Sequence, residues 1–294
     1  MSKHSRSSSI WHVVRLVVPL FPLVAGFVAL ALWLGGINGL LMAIVVAGCL
    51  MLAWSKQAER VLIHDQDVRD LDPSEHADLI ALLSRLAMTA GVTVPRLRII
   101  VHPIPNGFAI GLNRTTGTIF ITSGLVDTLT RDELAGVLGH ELAHIRNHDT
   151  AIMTTVAAFT MTTLCMAAAL SLIGICIGRR GGLTVQVLAA ISAASAVVIA
   201  VAMSRGREYE ADRLGAEICG DPQHLISALR KVIKPGRSVR GFGRSKSQLA
   251  FHPALAPLLF VDPNTPATPG GLFSSHPSVS ARIARLERLA SARS

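Results

Sequence analysis

The chain has 294 residues, of which 50% are hydrophobic and only 16% are charged, and its formal net charge is +9. The mean hydropathy is positive, which is unusual for a soluble protein of this size. This composition excludes a disordered chain, a collagen and a coiled coil, because apolar residues are abundant, charge is sparse and glycine has no triplet period.

Four long apolar stretches contain the excess of hydrophobic residues. Each approaches or exceeds the roughly 20 helical residues that cross a bilayer core, and none contains Asp, Glu, Lys or Arg. They run from Leu16 to Gly35, Ile37 to Trp54, about Ala151 to Gly178, and Leu183 to Met203. Buried core helices are the alternative, but the remaining chain is too short to bury four. We predict four transmembrane helices, the first pair forming a hairpin over 16–54 and the second pair lying within 150–203.

These crossings divide the chain between two sides of the membrane. A cytosolic tail of residues 1–15 and the pieces 55–149 and 204–294 share one side and contain nearly all of the Lys and Arg. The positive-inside rule assigns that side to the cytoplasm. The net charge then reflects topology and attraction to anionic lipid headgroups, and nucleic-acid binding is not expected because no motif for it is present.

The two larger cytosolic pieces are each too short for a comfortable domain, so we expect them to fold together as one domain. In the first piece, Asp72 followed by Pro73 and Glu75 predicts the start of a helix, and Gly91 predicts its end. Short apolar segments separated by Pro, Asn and Gly then predict a small sheet of two or three strands. The predicted strands are Leu97–Val101, Phe108–Leu112 and Thr118–Thr122.

A second capping pattern, Thr130 with Glu133, opens a helix that contains His140-Glu141-Leu142-Ala143-His144. Side chains four residues apart share a helix face, about 5 to 6 Å apart at Cβ, so both imidazoles are able to bind one zinc ion. Glu141 is placed to take the proton of a water that zinc activates.

Other interpretations of this helix are weaker. Two surface histidines on an amphipathic helix would need no metal, but the helix has a buried apolar face, and Gly139 leaves room for close approach of another backbone. His148 does not share the ion with His140, because eight helical residues span about 12 Å.

A third ligand is expected after the fourth apolar stretch. Glu208 and Asp212 are four residues apart, so both are able to face the two histidines, one as a ligand and the other as acceptor for an imidazole N–H. A solvated charged helix emerging from the bilayer explains this segment equally well when it is considered alone.

Together, these motifs resemble the HtpX family of integral membrane zinc metalloproteases, relatives of the CAAX prenyl proteases. The resemblance rests on the zinc helix, on Ser204-Arg205 with Arg207-Glu208-Tyr209-Glu210-Ala211-Asp212, on Asn106-Gly107-Phe108-Ala109, and on Ser275-His276-Pro277 with Arg282. It implies an α+β, mainly α fold, with a four-helix membrane anchor and a cytosolic gluzincin-like protease domain containing a small sheet.

The resemblance also implies roles for individual residues. His140, His144 and Glu208 would be ligands of one Zn²⁺ per chain, Glu141 the catalytic base, and Asp212 the residue that orients a ligand. Asn106 would lie on an edge strand that pairs with an extended substrate. His276 and Arg282 would stabilise the oxyanion or hold the substrate carbonyl.

Two positions depart from the family pattern. Gly107 stands where the family more often has a small residue with a side chain. The segment 234–274 is rich in Gly, Pro, Ser and Arg, which predicts a mobile loop over the cleft or a contact with lipid headgroups.

The function expected from all this is a zinc-dependent endopeptidase of a bacterial-type inner membrane. It would cleave membrane or misfolded proteins in protein quality control, with its active site in the cytoplasm. The alternative is a catalytically inactive metal-binding membrane scaffold, against which the intact Glu141 argues. A transporter is not favoured, because the apolar stretches lack intramembrane charges.

Overall fold

The computed structural model describes residues 67–72, 74–111, 117–153, 206–233, 259–261 and 277–292, with isolated helical positions between 28 and 49 and between 168 and 190. The four predicted membrane segments lie in large part outside these residues. Among the described residues, no helix combines the length and the apolar character needed to cross a bilayer. The chain divides into two compact units, Met1–Gln57 with Val156–Met203, and Ala58–Thr155 with Ser204–Ser294. The elements below belong to the second unit.

The first described helix of this unit begins later than predicted. Strand β1, Val68–Asp70, is followed by a turn in which Asp72 Oδ1 accepts a hydrogen bond of 2.8 Å from the Ser74 amide. Helix α1, Ala77–Ala90, starts only after this turn, so the predicted start at Asp72 was wrong because the carboxylate caps a turn rather than a helix. The predicted end is confirmed, since Gly91 adopts a left-handed φ of 68°.

A mixed four-stranded sheet lies beside the helices. Its other strands are β2, Arg96–Ile100, β3, Gly107–Ile110, and β4, Thr118–Thr122, in the order β1-β2-β4-β3. β2 and β4 are parallel and the other neighbours are antiparallel. The small sheet predicted from the sequence is confirmed, with β1 added. That strand escaped prediction because it is three residues long and has no apolar alternation.

Five further helices of this unit are described over most of their length, and residues 149–153 are also helical. The five are α2, Ser123–Thr128, α3, Arg131–Arg146, α4, described over 206–219, α5, Pro222–Val232, and α6, Val279–Ser291. α3 packs on α1, α5 and β3, and most of its length is buried. Its Leu138 and Leu142 join Ile119 of β4 and Leu225 of α5 in the hydrophobic core. The zinc-motif helix is therefore enclosed by the fold rather than displayed on its surface.

The start of α3 is fixed by the predicted capping box, which is confirmed. Thr130 Oγ1 accepts from the Glu133 amide, and Glu133 Oε2 accepts from the Thr130 amide at 2.7 Å. Glu133 also accepts from Ser227 and Lys231 of α5, which joins the two helices. Burial acts to raise the pKa of Glu133, but these hydrogen bonds lower it from 4.5 to about 2. The resulting stabilisation is present above pH 4.5 and is lost as the pH falls towards 2.

Candidate metal centre

The site forms where α3 and α4 approach to backbone contact. A Cβ atom added at Gly139 would lie 2.8 Å from the carbonyl oxygen of Gly215, and one added at Gly215 would lie 2.8 Å from the Cα and N of His140. The prediction that Gly139 admits another backbone is therefore confirmed. Because the helices touch here, carboxylates of α4 are able to reach imidazoles of α3.

This contact makes Gly215 sensitive to substitution. In Gly215→Ala we expect the helices to move apart, lowering the free energy of unfolding by about 1 to 3 kcal/mol and reducing zinc content, since overpacking outweighs the helix propensity gained. The matched control is Gly206→Ala in the same helix, where an added Cβ meets nothing within 4 Å. Thermal melting and zinc analysis of the two variants measure the difference, and equal behaviour would contradict the packing argument.

Three side chains present ligand atoms to one point. His144 Nε2 lies 3.2 Å from His140 Nε2 and 3.4 Å from Glu208 Oε1, and His140 Nε2 lies 3.6 Å from Glu208 Oε2. Tetrahedral zinc with bonds of 2.0 to 2.1 Å separates its ligand atoms by about 3.3 Å. The donor set, two imidazoles and a carboxylate within these distances, fits a zinc ion.

Behind the first imidazole lies a buried ion pair. His140 Nδ1 is 3.1 Å from Asp212 Oδ1, and Arg282 donates to both oxygens of Asp212, at 2.6 and 2.9 Å. Burial acts to raise the pKa of Asp212, but the charge of Arg282 outweighs it and holds that pKa below its ordinary value. Burial lowers the pKa of His140 from 6.5 to about 4, so its imidazole is neutral at pH 7, the form in which histidine binds metals.

The second imidazole faces two carboxylates. His144 Nδ1 lies 3.1 Å from Asp149 Oδ2, while its Nε2 faces Glu208. Burial acts to lower the pKa of His144, yet hydrogen bonds to Asp149 and Glu208 raise it to about 10. The two carboxylates thus favour a positive charge beside His144, and they would favour a bound divalent cation for the same reason. Asp149 was not singled out in the sequence, because five residues after His144 it would leave the shared face of a helix.

Arg282 is fully engaged by protein groups. Besides its bonds to Asp212, its Nη1 donates to the carbonyl oxygen of Phe260 at 2.7 Å and lies 3.3 Å from Glu208 Oε2. The side chain is buried, and its guanidinium lies 5.0 Å from the centre of the Phe260 ring. The structure therefore joins Arg282 to the predicted ligand Glu208 and its neighbour Asp212. His276, the other residue expected to hold a substrate carbonyl, lies outside the described residues.

Asn106 precedes the edge strand β3 and is buried. Its backbone N–H and carbonyl both bond to Thr122 of β4. Its side chain donates to the carbonyl of Val261 at 2.6 Å, and Phe260 donates its amide to the Gly107 carbonyl at 2.7 Å. Of the predicted mobile loop 234–274, the structure describes Leu259–Val261, and these contacts tie them to the start of β3.

Comparison with known proteins identifies a protein family and a similar solved structure. The family model described as Peptidase family M48 matches residues 73–290, which is more than half of the chain. The crystal structure of S. mikatae Ste24p is similar, with a TM-score of 0.50 and 18% sequence identity. That alignment covers 97% of this chain and 66% of the Ste24p chain. At this identity the similarity concerns the fold, which is mainly helical with a small mixed sheet.

Proposed function

Because the chain belongs to peptidase family M48, the zinc metalloprotease family that the sequence resembles, we propose that it is a zinc-dependent endopeptidase acting on membrane or misfolded proteins. The observation that carries this proposal is the triangle of ligand atoms from His140, His144 and Glu208, with Glu141 beside the first ligand on the same helix. One Zn²⁺ per chain satisfies this donor set.

Each residue has a defined task in the proposed reaction. Zinc, when bound, polarises the peptide carbonyl and makes a water molecule nucleophilic near neutral pH. Glu141 takes a proton from the attacking water and then passes it to the leaving amine. His140 and His144 would hold the ion through Nε2, with His144 giving up its Nε2 proton when the metal binds, and Glu208 would supply the negative ligand.

Support for these ligands comes from the groups around them. Asp212 fixes the ring of His140, and Arg282 keeps Asp212 ionised while approaching Glu208. We assign Arg282 this orienting task in place of direct contact with a substrate carbonyl, because its nitrogens are occupied by protein acceptors. Asn106 supports the edge strand by binding Val261, and pairing of substrate with that strand stays a prediction.

Membrane attachment forms part of the proposal. Its support is the four apolar stretches of the sequence and the Lys and Arg flanking them. The protease domain would combine 55–149 with 204–294 on the cytoplasmic side of an inner membrane. Alkaline phosphatase fused after Gly39 or at Gly181 should be active, and fused at the C-terminus inactive. The opposite pattern would overturn the topology.

Removal of zinc tests the proposed activity. The full-length chain purified in detergent should cleave unfolded casein. A chelator should remove about 95% or more of that activity, because the attacking water is activated by the metal, and added Zn²⁺ should restore it. A His140→Ala preparation made in parallel controls for copurifying proteases. Zinc bound at one per chain without cleavage of any unfolded substrate would favour the inactive scaffold instead.

A further inference from the structure

The geometry points to Asp149 as a positioning residue that orients His144 towards the metal, a role that rests on the proposed function. The side chain of Asp149 is 7% exposed, and its Oδ2 lies 3.1 Å from His144 Nδ1. On the opposite side of the ring, Nε2 faces His140 and Glu208. A proton held on Nδ1 by Asp149 leaves the lone pair of Nε2 directed at the other ligand atoms.

The backbone after α3 brings Asp149 to this position. Residues five apart in a continuous helix point about 140° away from each other, so Asp149 would not reach His144 if α3 continued. Instead α3 ends at Arg146, and His148 adopts a left-handed φ of 63°. It is the one non-glycine residue with positive φ in the described part of the chain. Because of this turn, the carboxylate of Asp149 lies beside the imidazole of His144, five residues earlier in the chain.

A buried carboxylate also needs a cation, and α4 supplies one. Arg207 Nε lies 3.8 Å from Asp149 Oδ1, the oxygen that His144 does not use. Arg207 is the residue before the ligand Glu208, so the same helical turn provides both a ligand and the countercharge. The positive charge of Arg207 near the second oxygen favours the ionised carboxylate, which is the form that accepts a hydrogen bond from the imidazole N–H.

The two predicted histidine ligands therefore have matching supports. His140 Nδ1 meets Asp212, whose oxygens bind Arg282. His144 Nδ1 meets Asp149, which pairs more loosely with Arg207. Each imidazole therefore has an aspartate at Nδ1. Loss of a residue that hydrogen-bonds to a metal ligand typically lowers metal affinity by about 10- to 100-fold, and we expect the same for removal of Asp149.

The test measures zinc affinity of the full-length chain in detergent by competition with a chromophoric chelator. We expect Asp149→Ala to weaken Zn²⁺ binding about 10- to 100-fold, and Asp149→Asn, which keeps an acceptor oxygen, to restore most of the loss. The visible spectrum of the Co²⁺-loaded chain should change in D149A, because one ligand is reoriented. Asp127→Ala, which removes an exposed aspartate outside the site, should leave affinity and spectrum unchanged.

The outcomes separate this inference from the proposed function. Wild-type affinity and an unchanged Co²⁺ spectrum in D149A would overturn the role of Asp149 while leaving the protease intact. Should D149A fail to fold in a thermal melt, Asp149→Val, which also lacks an acceptor oxygen, replaces it, and unchanged affinity there would overturn the role equally. A wild-type chain that binds no Zn²⁺ would instead refute the proposed function itself.

Discussion

Replacing Glu141 by glutamine is expected to abolish peptide cleavage while zinc stays bound. Glutamine matches glutamate in size but does not accept the proton of the attacking water, and loss of general base catalysis lowers kcat by about 10²- to 10⁴-fold. Because Glu141 is not one of the three converging ligands, the zinc content should remain near one per chain. Casein cleavage and metal analysis on the same preparation measure both quantities.

The control for this variant lies on the same helix. Asp132→Asn makes the same chemical change in the exposed first turn of α3 and should leave kcat within about twofold, because surface substitutions away from special features have small effects. Full activity in Glu141→Gln, with the His140→Ala preparation inactive, would remove Glu141 from the mechanism. Loss of both zinc and cleavage would show instead that Glu141 is needed to build the site.

Replacing Glu208 by alanine should have the larger effect on the metal. The substitution removes the charged ligand and leaves two imidazoles. We therefore expect zinc affinity to fall by more than about 100-fold, which exceeds the loss typical for a residue that only hydrogen-bonds to a ligand, and we expect cleavage to be lost. Arg282 keeps Asp212 as a partner, so the fold should survive. Zinc titration with a melting curve on each sample measures the two effects separately.

Glu210→Ala is the matched control, two residues further along α4. Glu210 pairs with Arg213 on the half-exposed side of the helix, and exposed pairs contribute little to stability. Its removal should leave zinc binding unchanged. If Glu208→Ala bound zinc as tightly as Glu210→Ala, the third ligand would have to be another residue.

Local rules of helix geometry were sufficient to predict the core of the site. The fourfold spacing of His140 with His144, and of Glu208 with Asp212, predicted two pairs on shared helix faces, and the structure brings these pairs together. Gly139 predicted the close contact that allows it. These predictions succeed because side-chain direction within one helix follows from the sequence spacing alone.

The parts that escaped prediction depend on the backbone between elements or on contacts far apart in the chain. Asp149 reaches His144 only because His148 turns left-handed, which no spacing rule indicates for histidine. The binding of Arg282 to Asp212 joins residues 70 positions apart. Asp72 looked like a helix cap because a turn and a helix start use the same hydrogen bond, donated by a backbone N–H to a short acidic side chain.

Anomalous diffraction at the zinc absorption edge, from crystals of the full-length chain, tests the central claim most directly. We expect a single peak about 2.0 to 2.2 Å from Nε2 of His140, Nε2 of His144 and a carboxylate oxygen of Glu208. A peak at another place, or a Glu208 carboxylate directed away from both imidazoles, would contradict the account.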